Sequence, residues 1–217
     1  MDLLSENVGD PYDNDIAKGI RLCGGEVTLD GITLKEEKAG TCILTVRNLF
    51  TPDECSRVIS YFKNHPERTQ PGKTMGGVRR IKNCTDLEMK KVDVESTELD
   101  TMVAERFQVL IGAVSKIIPL FFIDPIRDTG YQIQHYVPGG FYHWHVDWRP
   151  GRKMAIILYL NEVESDGETE FWYQNIKIKP EVGKVLIFPT EGAYTHRGIT
   201  PTSGDKFIIT TFLTTEL

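Results

Sequence analysis

From Tyr131 onward the chain is a succession of short β-favouring runs, each closed by a turn signal. YQIQHYV ends in Pro-Gly-Gly, FYHWHVDW in Arg-Pro-Gly, and KMAIILYLNEV in Ser-Asp-Gly. ETEFW, NIKIK, GKVLIFP, AYTHRGI and KFIITTFL follow. Eight strands at near-regular spacing predict a barrel or a double-sheet jelly roll.

The first half has a different texture. EVTLDGITL places Asp30-Gly31 between two β-favouring runs, a two-residue hairpin signature. TCILTVRNL reads as a further strand. Thr51-Pro52-Asp53-Glu54 then has the grammar of a helix start: a capping threonine, a proline at the first helical position, and a glutamate completing the capping box. That helix is expected to end near Asn64, because Pro66 disfavours helix at His65. Apolar residues from Met102 to Ile117 recur at helical spacing and predict a second helix over 97–118. Between the helices, QPGKTMGGVRRIKNCTD has no apolar period and reads as a loop. Helices first and strands later give an α+β class, with the helices packed on one sheet of the roll. At 217 residues the chain divides into an N-terminal extension, 1–40, and one domain over 41–217.

Composition narrows the partners. The net charge is −6 and basic residues are scattered, so neither nucleic acid nor anionic membrane is an expected partner. A local cluster of Lys73, Arg79, Arg80 and Lys82 is explained by a solvated face as readily as by a binding patch. No apolar run reaches membrane-spanning length, and the acidic start lacks the order of a secretory signal. Four cysteines without a C-x-x-C pair suggest reduced thiols and a cytoplasmic location.

The chemistry-bearing residues lie in the β-rich half. His145 and Asp147 form an H-x-D pair, and on a strand residues i and i+2 share a face. Five histidines and fourteen aspartates give about 0.3 such pairs by chance, so the pair alone is weak. His196 lies 51 residues on, in another expected strand, and a closed roll can return it to the same interior. Two imidazoles and a carboxylate on one face of an octahedron suit iron(II) and leave three positions open. His143 also falls on the expected face, but three successive same-side positions span about 13 Å, too far to share one ion. His135 and His65 are assigned no catalytic part. Lys206, after the turn Ser203-Gly204-Asp205, opens a strand expected beside the one carrying His196. If aimed inward, its ammonium needs an anion, because an unpaired buried charge is costly. The distal carboxylate of 2-oxoglutarate would serve.

YQIQHYVPGGFYHWHVD, MAIILYLNEVESDGETEF and KPEVGKVLIFPTEGAYTHRGITPTSGDKF resemble the prolyl 4-hydroxylase-like iron/2-oxoglutarate dioxygenases, and the similarity runs from about Thr41 to Leu217. The resemblance implies a double-stranded β-helix using Fe(II), 2-oxoglutarate and O2, with ascorbate as an accessory reductant. His145, Asp147 and His196 match the iron ligands and Lys206 the partner of the cosubstrate's distal carboxylate. Tyr136 and Thr169 match residues near that carboxylate, and Arg152 an arginine facing the substrate. The loop around Gly76 to Asn83, with Arg79 and Arg80, resembles a segment closing over a peptide. The implied reaction hydroxylates an unactivated C–H bond, best C4 of a peptidyl proline, releasing succinate and CO2. Peptidyl lysine, a free amino acid or another small molecule are alternative substrates. Departures bear on the substrate: Asp166-Gly167 replaces a Gly-Gly, Ala155 a threonine, and Phe212 a tryptophan. Outside the family, a zinc hydrolase or a non-catalytic jelly-roll binding module would use the same three ligands.

Overall fold

The computed structural model describes residues 20, 22–74 and 81–215. Two helices and fifteen strands lie among them. The hairpin β1 (Glu26–Leu29) and β2 (Ile32–Glu36) turns through Asp30 and Gly31, both at positive φ, as a two-residue turn of this composition requires. β3 is Leu44–Val46, shorter than the run TCILTVRNL suggested.

Helix α1 (Pro52–Asn64) begins as the sequence dictates. The Thr51 hydroxyl accepts from the Glu54 amide, and the Glu54 carboxylate accepts from the Thr51 amide. Helix α2 (Val94–Ile117) begins three residues before the expected Thr97. Its cap is Asp93, whose carboxylate accepts from Ser96 N–H at 2.6 Å. With serine rather than glutamate as the third helical residue, that box lacks the usual signature.

The stretch between the helices is not all loop. It contains β4 (Gln70–Pro71), β5 (Lys82–Asn83) and β6 (Thr85–Glu88). Residues 75–80, including Arg79 and Arg80, lie outside the described residues, as does most of the N-terminal arm. Lys82 does not belong to a solvated face. It is 4% exposed and its ammonium is 2.9 Å from the Asp86 carboxylate, also buried.

After α2 come β7 (Ile126–Asp128), β8 (Gln132–Tyr136), β9 (Phe141–His145), β10 (Arg152–Tyr159), β11 (Thr169–Phe171), β12 (Ile176–Ile178), β13 (Val185–Pro189), β14 (His196–Gly198) and β15 (Lys206–Thr215). The eight strands from β8 to β15 divide between two antiparallel sheets. The larger holds β13-β10-β15-β8 in that spatial order, extended by β3, β2 and β1 at one edge and by β6 and β4 at the other, with β7 on β15. The smaller is β12-β11-β14-β9-β5. Successive strands cross between sheets except at the β11–β12 hairpin, which is the jelly-roll connectivity expected.

The larger sheet is apolar on both faces, which explains the unbroken run MAIILYL. Met154, Ile156 and Leu158 join Val58, Phe62, Val103, Phe107 and Leu110 of the helices in one core. Ala155, Ile157 and Tyr159, pointing the other way, join Tyr136, Phe171 and Phe188 between the sheets. The smaller sheet turns its outer face to water. There Arg197 pairs with Glu170 at 2.6 Å and lies 4.6 Å from the Trp144 ring centre. No described helix is long and apolar enough to cross a membrane.

Candidate metal and cosubstrate site

Strands β9 and β14 are neighbours in the smaller sheet, and His145 is the direct cross-strand partner of His196. Asp147 lies two residues past the end of β9. One ligand atom from each of the three lies within 4.8 Å of the others. The Asp147 carboxylate oxygens are 3.6 Å from His145 Nε2 and 3.5 Å from His196 Nε2.

Two backbone carbonyls decide which imidazole nitrogens face the centre. His145 Nδ1 is 2.8 Å from the His143 carbonyl, and His196 Nδ1 is 3.0 Å from the Tyr194 carbonyl. A carbonyl only accepts, so each Nδ1 carries the proton and each Nε2 keeps its lone pair for an ion. Burial, followed by the neighbouring His196, holds His145 well below the usual histidine pKa and keeps it neutral. Tyr142 stacks on His145 at 3.5 Å between ring centres, while Phe188 packs edge-on against His196 at 4.8 Å. This donor set, two neutral nitrogens and one carboxylate, fits an iron(II) ion with open positions.

His145 and Asp147 do not share a strand face as the H-x-D spacing predicts. The pairing of β14 with β9 shifts register between His196/His145 and Gly198/Tyr142, so β9 carries one extra residue there. Such a bulge breaks the two-residue alternation and re-aims side chains. Tyr142 and His145 therefore both line the cavity, whereas His143 is exposed and stacks on Phe141. Asp147 reaches the cavity from the chain beyond β9, not from the same strand face. His135 stacks on Phe207 and His65 on Tyr61, both away from the cavity.

The three ligands open onto a cavity of about 170 Å³ that Lys206, Tyr136, Thr169 and Arg152 also line. Lys206 does not stand beside the strand of His196. It opens β15, between β10 and β8 in the larger sheet, and so faces the metal ligands across the sandwich. It is 3% exposed, and its ammonium lies 5.7 Å from the ring centres of both Tyr136 and Tyr159. Burial lowers its pKa to about 8, against a smaller opposing pull from Glu168. Among the described residues no carboxylate lies within ion-pair distance. A buried ammonium in an aromatic cradle, open to a cavity, is a receptor for an anion.

Tyr136 is the cross-strand partner of Lys206, and its hydroxyl donates to Gln134 Oε1 at 2.8 Å. Thr169 accepts from the Tyr159 hydroxyl at 2.7 Å, which leaves its own proton free for a ligand. Arg152 donates to the Asp147 carbonyl at 2.9 Å and lies 3.4 Å from the Phe212 ring centre. Tyr159, Gln134 and the Lys82–Asp86 pair join the site without a motif that marks them. The alternation along β8 and β10 was the available signal for the first two. Nothing local marked the third.

Residues 131–214 match the 2OG-Fe(II) oxygenase superfamily. That stretch holds all three ligands and Lys206. Over that stretch the chain is similar to 2OG-Fe(II) oxygenases. An Arabidopsis thaliana protein named probable prolyl 4-hydroxylase 10 is 25% identical over 170 residues, covering 65% of this chain and 55% of that protein. The chain thus spans about half the length of such curated relatives. The fold is that of a viral collagen prolyl hydroxylase from Paramecium bursaria Chlorella virus-1, solved with 2-oxoglutarate. The TM-score is 0.65 at 19% identity, covering 82% of this chain and 98% of that one. A Trichoplax adhaerens prolyl hydroxylase bound to a hypoxia inducible factor peptide fragment superposes with a TM-score of 0.69 at 17% identity, covering 81% and 84%. The cofactors of this oxygenase type are Fe(II), 2-oxoglutarate and O2, and the His-Asp-His cluster suits the metal.

Proposed function

We propose that the chain is an Fe(II)- and 2-oxoglutarate-dependent dioxygenase that hydroxylates an unactivated C–H bond, with C4 of a peptidyl proline as its target and succinate and CO2 as co-products. The observation that carries this reading is the sharing of one cavity by three convergent ligand atoms and a buried ammonium awaiting an anion. A zinc hydrolase would leave that ammonium without a role.

In this reading His145, Asp147 and His196 hold the metal from one side. Iron(II), when bound, supplies the oxygen activation and oxidative decarboxylation that side chains cannot perform. Lys206 holds the distal carboxylate of 2-oxoglutarate, with the free Thr169 proton and Tyr136 beside it. Arg152 meets the substrate, and Arg79 and Arg80 lie in the segment that would cover it. The catalytic domain is 41–217, with 1–40 an extension. Peptidyl proline as substrate is supported by the names of the relatives above. Ascorbate as an accessory reductant and a cytoplasmic location are proposals carried from the sequence. An ascorbate-omission assay and cell fractionation test them.

The decisive experiment supplies iron(II), 2-oxoglutarate and oxygen with proline peptides, lysine peptides and free amino acids. Succinate and oxygen gain on each candidate are then measured. One oxygen on proline per succinate is expected. Oxygen gained on lysine or a free amino acid would replace the substrate while keeping the reaction. Failure to bind 2-oxoglutarate at all would overturn the function.

A further inference from the structure

The turn that follows Asp147 carries two arginines, Arg149, which has no role in the chemistry above, and Arg152, which faces the substrate there without a stated partner group. Arg149-Pro150-Gly151-Arg152 closes with the Arg152 amide donating to the Arg149 carbonyl at 3.1 Å. Pro150 is second and Gly151 third, the latter at φ +78°, the residue order of a type II turn. Such a turn brings its first and fourth residues together, and both arginines line the metal cavity. The turn is pinned from outside, since the Thr215 amide donates to the Gly151 carbonyl at 2.9 Å. The Arg152 guanidinium is half-buried and fixed by the Phe212 ring on one side and the Asp147 carbonyl on the other.

The charges around the cavity decide what this pair is for. Among the described residues its charged lining consists of Lys73, Lys82, Arg149, Arg152, Lys206 and a single acid, Asp147. Asp86 already neutralises Lys82. In the loaded site, the charges of iron(II) and Lys206 balance those of Asp147 and the two carboxylates of the cosubstrate. The centre is then neutral without either arginine. Neither arginine has a carboxylate within ion-pair distance among the described residues, unlike Arg47, Arg57, Arg68, Arg106 and Arg197. Arg152 also borders an adjoining groove, shared through Gln132, Thr210 and Phe212. The one acid there among the described residues, Glu88, is 2.9 Å from Lys90. Two like charges held side by side at a cavity wall repel until an anion joins them, and the planar arginine fork matches a carboxylate.

We propose that the Arg149–Arg152 turn is the specificity element of this site and receives a substrate carboxylate carried by the hydroxylated residue or by its neighbour. The proposal rests on the oxygenase reading above and adds to its substrate a carboxylate, which an acidic peptide or a free amino acid would carry. Holding the guanidinium in place before binding lowers the ordering cost of capture.

The test uses the full chain loaded with iron(II) and 2-oxoglutarate in the absence of oxygen, so that binding is read without turnover. Calorimetric titrations compare matched ligands: proline peptides with Asp or Asn beside the proline, and L-proline against L-prolinamide. The wild type should favour the carboxylate member of at least one pair by about tenfold or more, as for a partly desolvated charge pair. R149Q and R152Q should each bring that ratio down to about threefold or less. Each variant is judged against its own neutral ligand, so a loosened fold lowers both affinities and leaves the ratio unchanged. Which pair shows the larger ratio tells the acidic peptide from the free amino acid. Absence of a carboxylate preference in the wild type, or an unchanged ratio in both variants, overturns the proposal. A carboxylate preference with no proline preference refutes the proline reading and leaves this one standing. Proline hydroxylation indifferent to the neighbouring charge does the reverse.

Discussion

The two sheets of this roll meet the candidate site on unequal terms. The smaller sheet supplies the two candidate histidine ligands from strands of three to five residues, with an outer face of ion pairs and exposed tryptophan. The larger supplies Lys206 and Tyr136 from strands backed by both helices and filled on both faces. A metal ion contributes binding energy of its own, so the strands that hold it need little support. A buried ammonium costs free energy until its anion arrives. Only a sheet locked from behind keeps it in place meanwhile.

The largest effect expected from breaking this contrast is on the metal side. Loss of groups that merely orient a ligand costs about 10–100-fold in metal affinity, so Asp147→Ala, which removes a ligand, should exceed that and abolish turnover. Circular dichroism should remain that of the wild type. Retained succinate release would break the metal assignment.

The larger sheet should respond in the opposite sense. Lys206→Met keeps the volume and deletes a buried charge, so it should weaken 2-oxoglutarate binding by at least about 30-fold. In the cofactor-free protein it should raise the melting temperature. No acidic ligand should have this stabilising effect when removed. Titration and thermal denaturation of the two variants together sharpen the comparison.

A pH series probes the same ammonium. Its pKa in the fold, about 8, lies below the ordinary lysine value of 10.5. Between these values the unfolded chain binds the extra proton, so cofactor-free stability should rise with pH through that window. Affinity for 2-oxoglutarate should fall above about pH 8, as the cation is lost. Lys206→Met should remove both trends. Denaturant midpoints and titrations across the window measure them.

Metal removal should separate the sheets more gently. A chelator should speed amide exchange in β9 and β14 and leave β10 and β15 unchanged, because opening is local where packing is thin. Equal loss of protection in both sheets would dissolve the distinction. The smallest effect lies farthest from the site. Thr51→Ala should cost about 1 kcal/mol through the lost cap of α1, seen as a shifted denaturation midpoint with 2-oxoglutarate affinity unaltered.

Much of this was legible in the chain. The α1 start, the Asp30-Gly31 hairpin and the eight closing strands carry local signals, because caps, turns and side-chain alternation are set by neighbours in sequence. The early start of α2 was missed because Ser96 stands where a glutamate is usual. The His143 problem could not be solved properly from alternation, since the extra residue in β9 appears only when β14 is paired beside it. Lys82 resembled a surface lysine because its partner matters only after both are buried.

The sequence by itself determined the start of α1, the Asp30-Gly31 hairpin, the jelly-roll class and the candidate ligand residues, since each is carried by residue type and spacing. Tertiary structure alone decided that Lys206 lies across the sandwich from His196, that Asp147 arrives from beyond its strand, and that two arginines share one cavity wall. Strand pairing and burial are long-range choices settled by the free energy of the whole fold, which no short stretch of sequence contains.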